Sequence, residues 1–234
     1  LVTQWGQPGE FGFDAPPEPT DGFWGPRDVA IGPNGRVYVT DTGNKRIRVY
    51  AFDGLAAVHQ FDIGKGGSGL GELDEPSGLE IHSDGRLFVA DTWNRRVAVF
   101  DADGSHLLNF TVRGWYNDTV NRPYLALDET RNLLYVTDPD GNRVLVYTPE
   151  GDCVGSFGQQ GEDPTKAQFT AISGISVDDE GYIYISDSTA GKIYKFEPFE
   201  APVPVQNEVS DAQSDNGAEV TQEVEVTEDV DARG

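Results

Sequence analysis

The stretch that decides the fold is Pro26-Arg-Asp-Val-Ala-Ile-Gly-Pro-Asn-Gly-Arg-Val-Tyr-Val-Thr-Asp41, because its outline recurs along the chain. Three later segments share it: 76–91, 123–138 and 172–187. In all four, the closing aspartate follows the opening residue by 15 positions, and a β-branched residue comes six positions later. The aspartates are 50, 47 and 49 residues apart. Self-similarity at a nearly constant period indicates a repeat architecture.

Each repeat has the pattern of β-structure. Val37-Tyr-Val-Thr40, Leu87-Phe-Val-Ala90 and Ile183-Tyr-Ile-Ser186 are runs of apolar and β-branched residues of strand length. Asn34-Gly35 and Asp84-Gly85 supply tight turns. Two more strands follow each aspartate, so one repeat contains four strands. A four-stranded unit of this period predicts an all-β fold, a β-propeller with four-stranded antiparallel blades.

The residues around each aspartate resemble the NHL repeat. Asp41-Thr-Gly-Asn-Lys-Arg-Ile47 and Asp91-Thr-Trp-Asn-Arg-Arg-Val97 match its pattern best. Asp138-Pro-Asp-Gly-Asn-Arg-Val144 matches it fairly, and Asp187-Ser-Thr-Ala-Gly-Lys-Ile193 only in part. The resemblance spans about residues 20–197 and implies an NHL-type propeller. Such propellers serve as sensors, scaffolds and enzymes, so the resemblance implies the fold and leaves the function open.

The two ends of the repeat region leave two ring architectures open. Leu1-Val-Thr-Gln-Trp-Gly6 resembles the fourth strand of a blade, such as Val154-Gly-Ser-Phe-Gly158, whereas the last repeat stops after its third strand. Either the N-terminal strand completes the last blade and closes a ring of four, or the four repeats belong to a larger ring, for example one of six blades. On both alternatives the propeller covers residues 1–197.

Residues 198–234 form a segment of different composition. They contain ten acidic residues and one basic residue, a net charge of −9. So little apolar surface cannot offset the conformational entropy lost on ordering the chain. We therefore predict an acidic, disordered C-terminal tail.

The composition excludes several functional classes. With 17 Lys+Arg against 40 Asp+Glu, the net charge is −23, which argues against nucleic-acid binding and against adhesion to anionic lipid. The single cysteine, Cys153, allows no intrachain disulfide and no multi-cysteine zinc site. No apolar run is long enough to span a membrane.

The chain contains no methionine and starts at Leu1, so we expect a module of a larger protein. NHL propellers fused to envelope-associated bacterial proteins resemble this case. This resemblance favours an extracytoplasmic or membrane-tethered location.

The four aspartates are candidates for a structural role. Each ends a strand, and a cation follows five residues later: Asp41 with Arg46, Asp91 with Arg96, Asp138 with Arg143, and Asp187 with Lys192. A carboxylate in this position can accept hydrogen bonds from turn amides and pair with the cation of its own blade. We therefore predict that these residues stabilise the blades and do not bind a ligand.

The candidate binding residues lie on one face. Because successive strands alternate in direction, the loops after the second and fourth strands of every blade open on the same side. This loop face collects the aromatic residues Trp24, Trp93, Trp115 and Tyr116, with Tyr124 and Arg27 at the channel end of innermost strands. Exposed aromatic side chains are typical of peptide- or glycan-binding surfaces, whereas the alternative is that they pack between blades.

Two functions remain as hypotheses. The first is a non-catalytic scaffold that binds a protein, peptide or glycan. The second is a hydrolase, such as a lactonase, or a lyase with a metal at the channel mouth, since six-bladed enzymes of this kind are similar in fold. At the starts of the innermost strands only Asp28 is a plausible metal ligand, and one ligand does not make a site. The sequence therefore favours the scaffold, with no metal and no cofactor.

Overall fold

A computed structural model of the chain describes residues 1–9, 22–116 and 122–200. Within these ranges the regular structure is almost entirely β. The strands are β1 Gln7–Pro8, β2 Gly22–Phe23, β3 Pro26–Ile31, β4 Val37–Asp41, β5 Arg46–Asp53, β6 Ala56–Ile63, β7 Pro76–Ile81, β8 Leu87–Asp91, β9 Arg96–Phe100, β10 His106–Thr111, β11 Leu125–Asp128, β12 Leu133–Asp138, β13 Arg143–Tyr147, β14 Cys153–Phe157, β15 Gln159–Gln160, β16 Gln168–Phe169, β17 Ile172–Val177, β18 Ile183–Asp187 and β19 Lys192–Phe196. Two 3₁₀ turns, Thr42–Asn44 and Pro164–Lys166, complete them.

The strands form the four blades that the repeats predict. Blade 1 is β3-β4-β5-β6, blade 2 is β7-β8-β9-β10 and blade 3 is β11-β12-β13-β14, each antiparallel and four-stranded. Blade 4, β17-β18-β19, has three strands. The first strand of each blade contacts the first strand of the next, so β3, β7, β11 and β17 are the innermost strands. The predicted all-β propeller of four repeats is confirmed.

The core lies between neighbouring blades. Side chains alternate along each strand, so one set faces the preceding blade and the other faces the following one. Ile47 and Val49 of blade 1 pack in this way against Leu87 and Val89 of blade 2, and all four are fully buried. Equivalent clusters join blade 2 to blade 3 and blade 3 to blade 4. Burial of each such side chain stabilises the fold by about 1.5–3 kcal/mol.

The carboxylate of Asp91 is a buried hub that ties the loop before blade 2 to the turn after β8. It accepts hydrogen bonds from the Asp74 backbone N–H at 2.6 Å, from Asn94 Nδ2 at 2.8 Å and from Arg96 Nε at 2.7 Å. Asp41 in blade 1 repeats the arrangement, with Trp24 N–H at 2.7 Å, Asn44 Nδ2 at 2.9 Å and Arg46 Nε at 2.9 Å. Both aspartates therefore form the predicted ion pair inside their own blade.

The later two repeats show where the motif persists and where it changes. Asp138 pairs with Arg143 Nε at 2.7 Å and accepts from the Gly141 N–H. Asp187 forms no ion pair with Lys192, contrary to the prediction. Its donors are instead the backbone and hydroxyl of Thr170, at 2.6 and 2.7 Å, together with other backbone amides. Neutral donors therefore satisfy this carboxylate without a cation.

The N-terminal segment packs beside the first blade. The Trp5 ring lies 5.8 Å from that of Tyr50 in blade 1, just as Phe157 of blade 3 lies 5.5 Å from Phe196 of blade 4. The parallel pair β1–β2 likewise repeats the pair β15–β16. Residues 1–6 form no strand and do not extend β19. Of the two ring alternatives, closure of the last blade by the N-terminus is not what the structure shows.

The outer flanks of blades 1 and 4 lie open. Val29 and Ile31 on β3 are 59% and 72% exposed, whereas Leu79, at the place in blade 2 that matches Val29, is 2% exposed. On blade 4, Ile193 of β19 is 70% exposed. No other blade covers either flank in the described part of the chain. From residue 201 onward, the predicted acidic tail lies outside the described residues.

A pair of carboxylates lies between the innermost strands of blades 1 and 2. Asp28 accepts the backbone N–H of Leu79 at 3.0 Å, so it links β3 to β7. Glu80 is the next residue along β7. Burial, and then the charge of Asp28, raise the pKa of Glu80 to about 7. Glu80 therefore titrates near neutral pH.

We expect Asp91→Asn to lower the free energy of unfolding by about 2 kcal/mol, because Arg96 and the turn amides lose a charged acceptor. Burial raises the pKa of Asp91, because removal from water disfavours the charged carboxylate. This desolvation offsets part of the stability that its hydrogen bonds contribute. Urea denaturation measures the change. Asp103→Asn, at an exposed turn, removes the same charge as a control. Equal stability of the two variants would contradict a stabilising role of the Asp91 carboxylate.

We expect the Glu80 carboxyl to make the protein less stable as pH rises. Its unfolded pKa is 4.5 and its folded pKa about 7, so the folded state holds the proton more tightly between these values. This group's contribution should fall by about 2–3 kcal/mol from pH 4.5 to 7. Urea denaturation across pH 4–8 measures the effect. Glu80→Gln should remove this loss of stability and be more stable than the wild type at pH 8. The control variant Glu197→Gln should do neither. If the difference in unfolding free energy between the wild type and Glu80→Gln stays constant across this pH range, the prediction is contradicted.

Candidate functional site

Trp93 is an exposed aromatic residue held in a fixed place on the loop face. It lies in the turn after β8, and its side chain is 44% exposed. Its backbone N–H donates to Asp74 O at 3.1 Å, and Lys45 Nζ lies 5.9 Å from the ring centre. Lys45 is itself fixed by a 2.7 Å ion pair with Asp74. The ring therefore presents apolar surface to solvent from an ordered turn.

Trp24 lies on the same face, in the loop that leads into blade 1. Its backbone N–H is bound by Asp41, and its ring packs on Gly43, where a Cβ atom would collide with it. The side chain remains 38% exposed. Gly43 therefore lets one side of the indole rest on the turn while part of it faces solvent.

The two aromatics that follow blade 2 differ from one another. Trp115 is 1% exposed, and its Nε1 donates to Thr137 O at 3.0 Å within the core between blades 2 and 3. Trp115 therefore packs between blades, and this corrects the prediction that it is a binding residue. Tyr116 is 69% exposed, and its backbone N–H donates to Asp140. Three aromatics of the predicted set, Trp24, Trp93 and Tyr116, face solvent.

Arg27 and Tyr124 line a cavity of about 480 Å³ at the channel mouth. The cavity brings together the ends of blades 1, 3 and 4, and its other lining residues are Arg122, Pro139, Asn142, Thr170, Ala171, Ile172, Ser173 and Ser188. Tyr124 is positioned by its backbone N–H, which donates to Thr137 Oγ1 at 2.8 Å. Burial, and then the neighbouring charge of Arg122, lower the pKa of Arg27. The mouth is thus polar and locally positive.

Glu75 is an electrostatic neighbour both of Lys45, beside Trp93, and of Arg27, at the channel mouth. Burial raises the pKa of Glu75, and its other electrostatic neighbours are Lys45, Asp74 and Arg27. Its φ of 50° places a non-glycine residue in the left-handed region, at the bend that leads into β7. The exposed tryptophan and the arginine cavity are therefore parts of one adjoining surface.

Sequence reasoning missed two members of this surface, Arg122 and Lys45. Arg122 directly precedes Pro123, the opening residue of the third repeat, as Arg27 directly follows Pro26. Alignment of the repeat openings could therefore have placed both arginines at the channel mouth. Lys45 and Trp93 lie in turns of two different blades, so no local sequence pattern could have predicted that they are close together.

The metal hypothesis depended on Asp28. Both of its carboxylate oxygens accept backbone N–H groups, from Leu79 and from Val29. Within the described ranges, no three His, Cys, Asp or Glu side chains are grouped so that they could hold a metal ion. The described residues also contain no helix long and apolar enough to cross a bilayer.

Comparison with solved structures finds proteins of similar fold at low sequence identity. A protein of unknown function from Bacteroides thetaiotaomicron superposes with a TM-score of 0.53 at 21% identity, covering 71% of this chain and 46% of that one. One from Bacteroides caccae gives 0.53 at 15%, covering 74% and 57%. Virginiamycin B lyase from Staphylococcus aureus, solved with quinupristin, gives 0.50 at 18%, covering 76% and 56%. The chain spans about half the length of the lyase structures.

Sequence comparison finds the NHL repeat in two stretches of the chain. No curated protein matches the chain. The family model of the NHL repeat matches residues 23–50 and 73–100, which correspond to the first three strands of blades 1 and 2 with the residues that lead into them. The predicted resemblance to the NHL repeat is thus confirmed at blades 1 and 2, and the four-bladed architecture is the β-propeller that it implies.

Proposed function

We propose that the chain is a non-catalytic binding scaffold that takes a protein, peptide or glycan on its loop face. The observation that carries the proposal is the exposure of Trp93. Trp115, in a loop of the same face, is buried with its indole N–H bonded, as expected for a structural tryptophan. Trp93 leaves nearly half of its side chain in water although its turn is fixed by Asp74 and Lys45.

The arrangement of the turn suits it to recognition. A preorganised aromatic side chain loses little conformational entropy when a ligand packs on it, so most of the buried area is available for affinity. Trp and Tyr dominate binding hot spots for this reason, and truncation of such a residue costs about 2 kcal/mol or more. Trp24 and Tyr116 would extend the contact toward blades 1 and 3.

The enzymatic alternative requires more than the resemblance of folds. Virginiamycin B lyase is an enzyme, but at 18% identity its likeness to this chain concerns the fold alone. A metal-dependent reaction at the channel mouth would use Asp28, whose two oxygens bind backbone amides here. Calcium or zinc uptake at micromolar concentration that Asp28→Ala abolishes would support this alternative against the scaffold.

We expect Trp93→Ala to abolish ligand binding without unfolding the protein, because the ring makes no contribution to the cores between blades. The probes are a displayed random-peptide library and a glycan array, screened with the wild-type chain. Each selected peptide or glycan is then titrated by calorimetry against the variant, with the thermal midpoint recorded in parallel.

Leu55→Ala is the matched control, since it removes an exposed apolar side chain (61% exposed) from a turn on the opposite face. Its affinity should equal that of the wild type, whereas Trp93→Ala should weaken binding by about 30-fold or more. Unchanged affinity in Trp93→Ala, or equal losses in both variants, would contradict a binding site at the loop face.

A further inference from the structure

The channel-mouth cavity contains two arginines that have no anionic partner within it. Arg27 enters from the start of the innermost strand of blade 1, and Arg122 from the residue before the third repeat. None of the residues that line the cavity carries a carboxylate. Burial, and then repulsion by the like charge of Arg122, lower the pKa of Arg27, whereas the charge of Glu75 opposes the shift.

This pairing is unusual for a chain of such negative charge. With 40 acidic residues against 17 basic ones, most cations of the chain have a carboxylate near them, as Arg46, Arg96 and Arg143 do. Within the described part of the chain, no carboxylate lies within ion-pair distance of Arg27 or Arg122, although the charge of Glu75, outside the cavity lining, acts on Arg27. An oxyanion placed between the two guanidinium groups would remove their repulsion and bind both.

The remaining lining groups suit such a ligand. Tyr124 lines the cavity, and its phenolic hydroxyl can donate a hydrogen bond to an anion. The hydroxyls of Ser173 and Ser188, which donate to Ser186 O and Ala171 O, would have to rotate to do the same. Guanidinium groups bind carboxylate and phosphate oxygens in bidentate geometry. A volume of about 480 Å³ is also larger than a single inorganic anion requires, so it leaves room for the body of a ligand.

We propose that the channel mouth is an oxyanion-binding pocket, in which Arg27 and Arg122 together bind a carboxylate or phosphate group of the ligand. The inference rests on the proposed function, since it gives the chemistry of the part of the ligand that enters the cavity beside Trp93. The occupied pocket would fix the direction in which the ligand lies across the loop face.

The test is calorimetric titration of the whole chain with inorganic phosphate and, separately, with citrate, in chloride buffer at low ionic strength. We expect at least one of the two anions to bind, and the tighter one indicates whether phosphate or carboxylate is preferred. Arg27→Ala and Arg122→Ala should each weaken that binding by about tenfold or more.

Arg36→Ala is the matched control, because it removes the same charge from a turn on the opposite face, where Arg36 packs over Phe61. It should bind the anion like the wild type. If Arg27→Ala lowers the thermal midpoint, Arg27→Lys preserves the charge but not the bidentate geometry and should still weaken binding. Binding of neither anion by the wild type, or equal losses in Arg27→Ala and Arg36→Ala, would overturn the pocket.

The outcomes separate this inference from the proposed function. Failure of phosphate and citrate to bind, with peptide or glycan binding still dependent on Trp93, removes the pocket and leaves the scaffold intact. Anion binding that depends on Arg27 in a chain for which Trp93 has no effect on any selected ligand supports the pocket and contradicts the aromatic surface.

Discussion

The buried carboxylate at the end of each blade's second strand is the contact on which the rest of the structure depends. In blades 1, 2 and 4 it accepts the backbone N–H of a residue 17 positions upstream, in the loop that enters the blade. A buried acceptor without donors would cost free energy, so each loop is constrained to bring its amide to the aspartate. The carboxylate thus ties a blade's entering loop to the turn between its second and third strands.

This constraint also shapes the loop face. The loop that the aspartate fixes through Trp24 or Asp74 is the segment that positions Trp24 on Gly43 and supports the turn of Trp93. A rigid scaffold with exposed groups on its fixed loops is the usual arrangement of a binding protein. The same constraint explains why blades 2 and 4 have the same geometry at their loop-face ends, although the outer parts of their sheets have different contacts.

Much of the fold could be predicted because its causes are local and repeated. Constant spacing, alternating apolar residues and turn dipeptides are visible in each repeat, and the ion pairs of Asp41 and Asp91 join residues only five positions apart. The prediction that Asp187 pairs with Lys192 was wrong, because the Thr170 hydroxyl, a donor from a distant loop, satisfies the carboxylate instead.

The site was harder to predict because its members are close only after folding. The burial of Trp115 depends on the gap between blades 2 and 3, and spacing along the chain does not report it. Residues 1–6 resemble the fourth strand at residues 154–158, yet they form no strand in the structure. The contact of Trp5 with Tyr50 depends on the assembled blade, so the resemblance alone could not decide between the two ring alternatives.

Residue-resolved amide hydrogen exchange by NMR tests the role of the aspartates most directly. The backbone N–H groups of Trp24, Asp74 and Thr170 lie in loops, yet each donates to a buried carboxylate. We expect these amides to exchange as slowly as those of the neighbouring central strands, since their opening requires the blade to open. Exchange at the rate of an unstructured peptide would contradict a fold organised around the buried aspartates.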